Sequence, residues 1–99
     1  MLLDLAGLRA IDVNKLIIFM TVYRAASVST AASILGVTQP AISNALSEMR
    51  ICFCDQLFVR RDGGMRPTTK ADSIAESLLP ILTSLSALAG QFTPGKYRR

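Results

Sequence analysis

The sequence predicts a mainly α-helical domain with one small β-hairpin, closed by a long C-terminal helix. Three observations carry this reading. Apolar residues recur at helical spacing in four segments between residues 13 and 89. One Asp-Gly-Gly turn, at 62–64, separates two short extended runs. A glycine and a Thr-x-Pro signal cut neighbouring helices sharply apart near residue 38.

Residues 1–11 read as a loose N-terminal leader. Its start is apolar, but Asp4 lies near the front and no basic segment or small-residue cleavage site of a signal peptide follows. Asp12 is the expected N-cap of a first helix over VNKLIIFMTVYRAA. Val13, Leu16, Ile17, Met20 and Tyr23, with Phe19 and Val22 beside them, give it an apolar face wide enough for two neighbours. Ser29 is the expected cap of a short second helix, TAASIL, with Ser27 and Thr30 as competing hydroxyls. Gly36 ends that helix. Thr38 caps a third, and Pro40 sits in its first turn, where no intrahelical N–H is lost. The third helix runs from Gln39 to Phe53, with Ile42, Leu46, Met49 and Phe53 as its buried stripe.

Leu57 to Arg60 reads as a strand, Asp62-Gly63-Gly64 as a hairpin turn, and Met65-Arg66 as the return strand that Pro67 ends. Thr68 or Thr69 then caps a last helix reaching to about Ala89. Its residues Ala71, Ile74, Leu78, Ile81, Leu85 and Leu88 are spaced alternately by three and four, a heptad seam. A second set, Ala75, Leu79, Leu82 and Ala89, widens the stripe. A chain this short cannot easily bury both sets. One is expected to pack on the domain and the other on the same helix of a second copy. The expected dimer interface is Ile74, Leu78, Ile81, Leu82, Leu85 and Leu88. Pro80, in mid-helix, should kink it or free one carbonyl, costing about 3 kcal/mol unless compensated. Residues 90–99 read as a polar, flexible tail.

Ninety-nine residues fit one domain. The hydrophobic share of 51% and a mean hydropathy of +0.39 point to apolar surface that a partner covers. No stretch holds 18 uninterrupted apolar residues, so no membrane association is expected. The net charge of +4 is unevenly spread. Residues 1–56 balance to zero, whereas residues 57–70 set Arg60, Arg61, Arg66 and Lys70 against Asp62 alone. Such a basic segment suits a polyanion. Cys52 and Cys54 stand without a third cysteine or any histidine, so they cannot complete a four-ligand zinc site. They read as small, partly buried hydrophobes in a reducing cytoplasm. No metal or cofactor is expected. The chain offers no nucleophile–base pair, and Gly63-Gly64 is too short for a phosphate loop, so enzyme classes are set aside.

The far face of the third helix holds Gln39, Ser43, Asn44, Ser47 and Arg50. The first four are compact, and all can form hydrogen bonds. A helix needs such a face to enter the major groove and reach base edges, whereas an ordinary solvated face carries Lys and Glu. Two helices joined by a glycine turn and followed by a hairpin form a winged helix-turn-helix: a three-helix core, a wing, and here a long dimerising linker helix. The offsets of Ala32, Gly36 and Ile42 sharpen this. A small residue lets the helices cross closely, a glycine takes the turn's positive φ, and a β-branched residue plugs the gap.

The segments LIIFMTVYRAASVSTAASILGVTQPAISNAL and DQLFVRRDGGMRPTTKA resemble the DNA-binding domain of LysR-type transcriptional regulators. The family pattern is matched at Leu16, Phe19, Val22, Ser27, Ala31, Ala32 and Leu35, and at the core Gln39, Pro40, Ala41, Ile42 and Ser43. Leu57, Phe58, Arg60, Pro67 and Thr68 match its wing and the entry to the last helix. The form is most similar to the branch of nodulation and aromatic-degradation regulators, and the likeness covers residues 12 to about 90. It implies a DNA-binding unit over residues 12–68 and a linker helix over 69–89. It further implies a cytoplasmic homodimer that reads an inverted repeat in double-stranded DNA to regulate bacterial transcription. Gln39, Pro40, Ser43 and Asn44 are then the base-contacting candidates. Ser29, Thr30, Thr38, Ser47 and Arg50 would meet phosphates, and Arg60, Arg61 and Arg66 would lay the wing on the backbone or in the minor groove. The family's C-terminal effector-binding domain is expected to be absent, leaving a small-molecule effector to full-length relatives. Three positions depart from the pattern. Met49-Arg50 stands where Leu-Glu is usual, Ala71-Asp72 where Ala-Gly is frequent, and Cys54 where a glycine is usual. The last implies that this helix exit needs no positive φ. A different reading is a truncated winged helix used for protein contact, forming mixed dimers with a full-length regulator.

Overall fold

The computed structural model describes residues 2–92. The chain runs α1 (Leu5–Ala10), α2 (Val13–Ala25), α3 (Val28–Leu35), α4 (Gln39–Phe53), β1 (Phe58–Arg61), β2 (Gly64–Pro67) and α5 (Thr69–Phe92). Where the sequence suggested a loose leader, the chain winds one helical turn and a half. Asp4 caps α1 by accepting from the Gly7 amide at 2.9 Å, yet α1 buries none of its residues.

Asp12 caps α2 as expected, accepting from the Asn14 and Lys15 amides. The second helix begins one residue pair earlier than its composition suggested. Ser27, not Ser29, is the cap, with Oγ accepting from the Thr30 amide at 3.1 Å. The earlier start brings Val28 onto the core, an apolar gain that a cap at Ser29 would forgo. Thr38 and Pro40 start α4 as expected. Its buried stripe is Ile42, Ala45, Leu46 and Met49, with Phe53 half-buried beside it. Ala45 thus joins the buried stripe that the spacing of Ile42, Leu46, Met49 and Phe53 defined.

The exit of α4 overturns one expectation. Cys54 adopts the left-handed region, φ 52 and ψ 44. Its amide donates to the carbonyls of Arg50 and Ile51, and the Asp55 amide donates to Arg50 at 3.2 Å. This bonding satisfies the last helical carbonyls, and it demands αL geometry whichever residue stands there. Both cysteines are exposed, not partly buried as their type suggested.

The hairpin pairs Phe58 with Pro67, Val59 with Arg66, Arg60 with Met65 and Arg61 with Gly64. Asp62 and Gly63 form the two-residue loop, both at positive φ (50 and 78), as a type I′ turn requires. The first strand starts one residue later than expected because Leu57 is itself left-handed, φ 66, with its side chain wholly buried. The wing docks through the Met65 amide, which donates to the Ala26 carbonyl at 3.0 Å. Gly64 permits this approach, since a Cβ there would lie 3.0 Å from the same oxygen.

The core gathers Phe19 and Val22 of α2, Ile42 and Leu46 of α4, Leu57, and Phe58 of β1. The Phe19 and Phe58 rings lie 5.4 Å apart. From α5 only Ala71, Ala75 and Leu78 are buried, and the two alanines let this helix pass close over α2. Beyond them α5 continues through Pro80 to Phe92, past the expected end at Ala89. Pro80 and Glu76 are both exposed, so the carbonyl that the proline leaves without a helical donor belongs to a residue on the outer side of the helix. Of the expected tail, residues 90–92 are helical and residues 93–99 lie outside the described residues.

The two apolar sets of α5 separate by position along the helix, not by face. Leu78, expected at a dimer interface, is buried in its own domain. Ile74 and Leu82 are half-buried against that domain, and Ile81, Leu85 and Leu88 are exposed. By length and composition alone α5 could cross a membrane. Its first turns, however, carry Lys70, Asp72 and Glu76 beside the buried residues. The free part from Leu79 onward is about 21 Å long at 1.5 Å per residue, short of the ~30 Å hydrocarbon layer.

Candidate nucleic-acid interface

Three backbone features aim α4. Gly36 takes φ 68, and its amide donates to the Ala32 and Ser33 carbonyls. The Val37 amide also donates to Ala32, at 3.0 Å, closing the turn. Thr38 Oγ1 then accepts from the Ala41 amide at 3.2 Å. Ala32 and Ile42 are buried where α3 meets α4, as their offsets from Gly36 suggested.

Held this way, α4 turns Gln39, Pro40, Ser43, Asn44 and Ser47 outward, all exposed. At about 100° per residue they share one arc of roughly 140°. The buried residues of α4 occupy the opposite side. Among the described residues, the side chains of Gln39, Ser43, Asn44 and Ser47 have no hydrogen-bond or ionic partner, so their donors and acceptors are available to an external ligand. The acid of α4, Glu48, is drawn off this face. It pairs with Lys15 of α2 at 2.7 Å, and Lys15 also meets Asp12 at 3.1 Å. Glu48 first, then Asp12, holds the Lys15 ammonium pKa above its ordinary value. The pairing leaves the outer face of α4 without negative charge.

The remaining candidates fall into two groups. Ser29 and Thr30 are exposed in the first turn of α3, although the Ser29 hydroxyl lies 3.2 Å from that of Ser27. Thr38 is exposed, with its hydroxyl engaged as the cap. On the wing, Arg60, Arg61 and Arg66 are all exposed. The strand register puts Arg61 and Arg66 on the outward face with Val59, and Arg60 on the face of Phe58 and Met65, at its rim. Arg66 lies 3.6 Å from Asp62 in an open pair that salt screens readily. Arg50 stands apart from the rest. It is only half exposed, and its Nε donates to the Gln56 carbonyl at 2.9 Å, bracing the loop after α4.

The sequence reading missed the group that fixes the wing to the helices. Asp55 Oδ2 accepts from the Leu57 amide at 2.8 Å and from Thr68 Oγ1 at 2.7 Å. Thr68 Oγ1 in turn accepts from the Ala71 amide at 3.1 Å, and the Thr68 amide donates to Leu57 at 2.9 Å. One carboxylate thus ties both ends of the hairpin to the start of α5. The Thr68 hydroxyl first, then the Leu57 amide, holds its pKa below the ordinary 3.8, against an opposing effect of burial. An aspartate two residues before a turn-to-strand step is an Asx-turn signal, and it could have been found.

A family profile described as "Bacterial regulatory helix-turn-helix protein, lysR family" matches residues 13–72. The HTH-type transcriptional activator NagR of Ralstonia sp is 45% identical over 78 residues, covering 79% of this chain and 26% of that protein. NahR of Pseudomonas putida, another HTH-type transcriptional activator, is 43% identical over 81 residues, covering 82% and 26%. The chain therefore spans about a quarter of the length of these relatives. Among solved structures, a probable transcriptional regulator from Pseudomonas aeruginosa superposes with a TM-score of 0.82 at 36% identity, covering 88% of this chain and 29% of that one.

Proposed function

The chain belongs to the lysR family of bacterial regulatory helix-turn-helix proteins, and from that premise we propose that it binds double-stranded DNA sequence-specifically, as a homodimer, to regulate transcription in the bacterial cytoplasm. The observation that carries this reading is the outer face of α4. It is exposed, compact and free of negative charge, and its amide and hydroxyl groups have no partner among the described residues. On this reading α4 enters the major groove. Gln39 or Asn44 bonds adenine, Pro40 touches a thymine methyl, and Ser43 meets a neighbouring base edge. Ser29, Thr30, Thr38 and Ser47 meet phosphates at the groove walls. Arg60, Arg61 and Arg66 lay the wing along the backbone or in the minor groove. Arg50 serves chiefly to brace the α4 exit, given its bond to Gln56.

Homodimerisation is supported by the exposed apolar half of α5, which one domain does not cover. Two copies related by a two-fold axis would present two α4 helices to an inverted repeat. Selection from random-sequence duplex DNA at two salt concentrations tests the proposal. The expected result is enrichment of an inverted repeat that persists at the higher salt. Binding that is uniform across sequences and vanishes with salt would reduce the activity to the basic wing and refute sequence reading.

A further inference from the structure

We infer that α1, which precedes the segment matched by the family profile, forms one wall of the dimer interface and seats the free half of the partner's α5. This rests on the homodimer reading above and specifies its surface. An apolar groove of about 670 Å³ runs between α1, α2 and α5. Leu8 of α1, Ile11 and Val13 line it together with Phe53 of α4 and Ile81 and Leu85 of α5. Among the described residues no charged side chain lines it. Three other grooves bordering α2 differ in this respect, since each includes charged groups such as Arg24, Glu48 or Glu76.

The occupant must be an uncharged apolar helix, and α5 supplies one. From Ser77 to Phe92 the chain carries no charged residue. Ile81, Leu85, Leu88 and Phe92, spaced four, three and four, make a single stripe. That stripe is left 41% exposed at Leu85, rising to 73% at Phe92. A second uncharged hollow, beside Pro80 and Leu88, continues the groove along α5. The groove and the stripe that would fill it share Ile81 and Leu85, as an isologous two-fold contact requires. Each free helix end then points back at the other copy's domain, and Leu88 and Phe92 meet Leu8 and Ile11.

The available area suits a dimer. The exposed parts of Leu8, Ile11, Val13 and the four stripe residues amount to roughly 600 Å² of apolar surface per protomer. A standard interface buries about 800 Å² per partner, about 65% of it apolar in homodimers. Leu8 and Ile11, each about half exposed, supply nearly a third of that apolar surface, and neither belongs to the core of its own domain. A membrane surface is a poorer occupant, because the strip has no lysine or arginine to meet headgroups.

Sedimentation of the full chain tests this, using Leu8→Asp/Ile11→Asp and, separately, Leu85→Asp. The double variant is expected to weaken dimerisation at least tenfold, with thermal unfolding of the monomer unchanged because α1 adds nothing to the core. Leu85→Asp is expected to be monomeric. If Leu85→Asp is monomeric while the double variant dimerises like the parent, α1 is not part of the interface and only this inference falls. If Leu85→Asp also dimerises, or the parent chain is monomeric at 100-fold the usual assay concentration, the homodimer reading itself falls and the groove belongs to a different partner.

Discussion

Replacing Cys54 by glycine should make the domain more stable. Cys54 holds φ 52 and ψ 44 at the α4 exit, where an L residue costs about 1–2 kcal/mol relative to the right-handed region. Glycine removes that cost but brings a more flexible unfolded chain, worth roughly 0.5–1 kcal/mol against it. The cysteine side chain is exposed, and its one polar contact is a weak thiol bond to Ile51 at 3.7 Å, so little packing is lost. The net gain spans about 0–1.5 kcal/mol, and its midpoint of about 0.75 kcal/mol raises Tm by about 3–6 °C for a domain of this size. Two companions bracket the effect. Cys54→Ala keeps the Cβ in the same backbone region and should leave Tm nearly unchanged. Gly36→Ala imposes the same strain on the α3 exit, φ 68, where a Cβ would meet nothing within 4 Å. Its loss of about 1 kcal/mol is then purely conformational. Thermal unfolding of all four chains, at one protein concentration and under reducing conditions, measures the set. A Cys54→Gly chain no more stable than Cys54→Ala would refute the assignment of strain to this residue.

Gln39→Ala should lower affinity for the selected site by about 1–3 kcal/mol and relax preference at one base pair, read by binding to matched and singly altered duplexes. Arg61→Ala should weaken all duplexes alike and reduce the slope of log affinity against log salt by about 1; a loss confined to one sequence would contradict a phosphate role. Asp55 is more acidic folded than unfolded, so its contribution is complete above the ordinary carboxylate pKa and disappears as pH falls through its depressed folded value. In Asp55→Asn, Tm should therefore fall less between pH 5 and pH 2 than in the parent; parallel curves would mean that the link to Thr68 and Leu57 does not stabilise the fold.

Local chemistry was enough to read most of the helical frame. Asp12, Thr38 and Pro40 start their helices and Gly36 stops one because each acts on backbone groups within four residues of itself. The type I′ turn at Asp62-Gly63 is local in the same sense. The free face of α4 was visible for a related reason, since a helix period and a list of side chains suffice to say what shares a side. Tertiary contacts decided the rest. Ser27 outcompetes Ser29 because Val28 finds the core, and Cys54 and Leu57 take left-handed geometry because the α4 exit must close and a buried leucine must enter the wing. Asp55 bridges to Thr68 across thirteen residues, a link that no window of neighbouring residues contains. The heptad pattern of α5 was plain in the sequence. Only the packing of α2 could show that its first turns belong to one domain while the stripe from Ile81 to Phe92 is left uncovered, because periodicity records which residues share a face and not what that face meets.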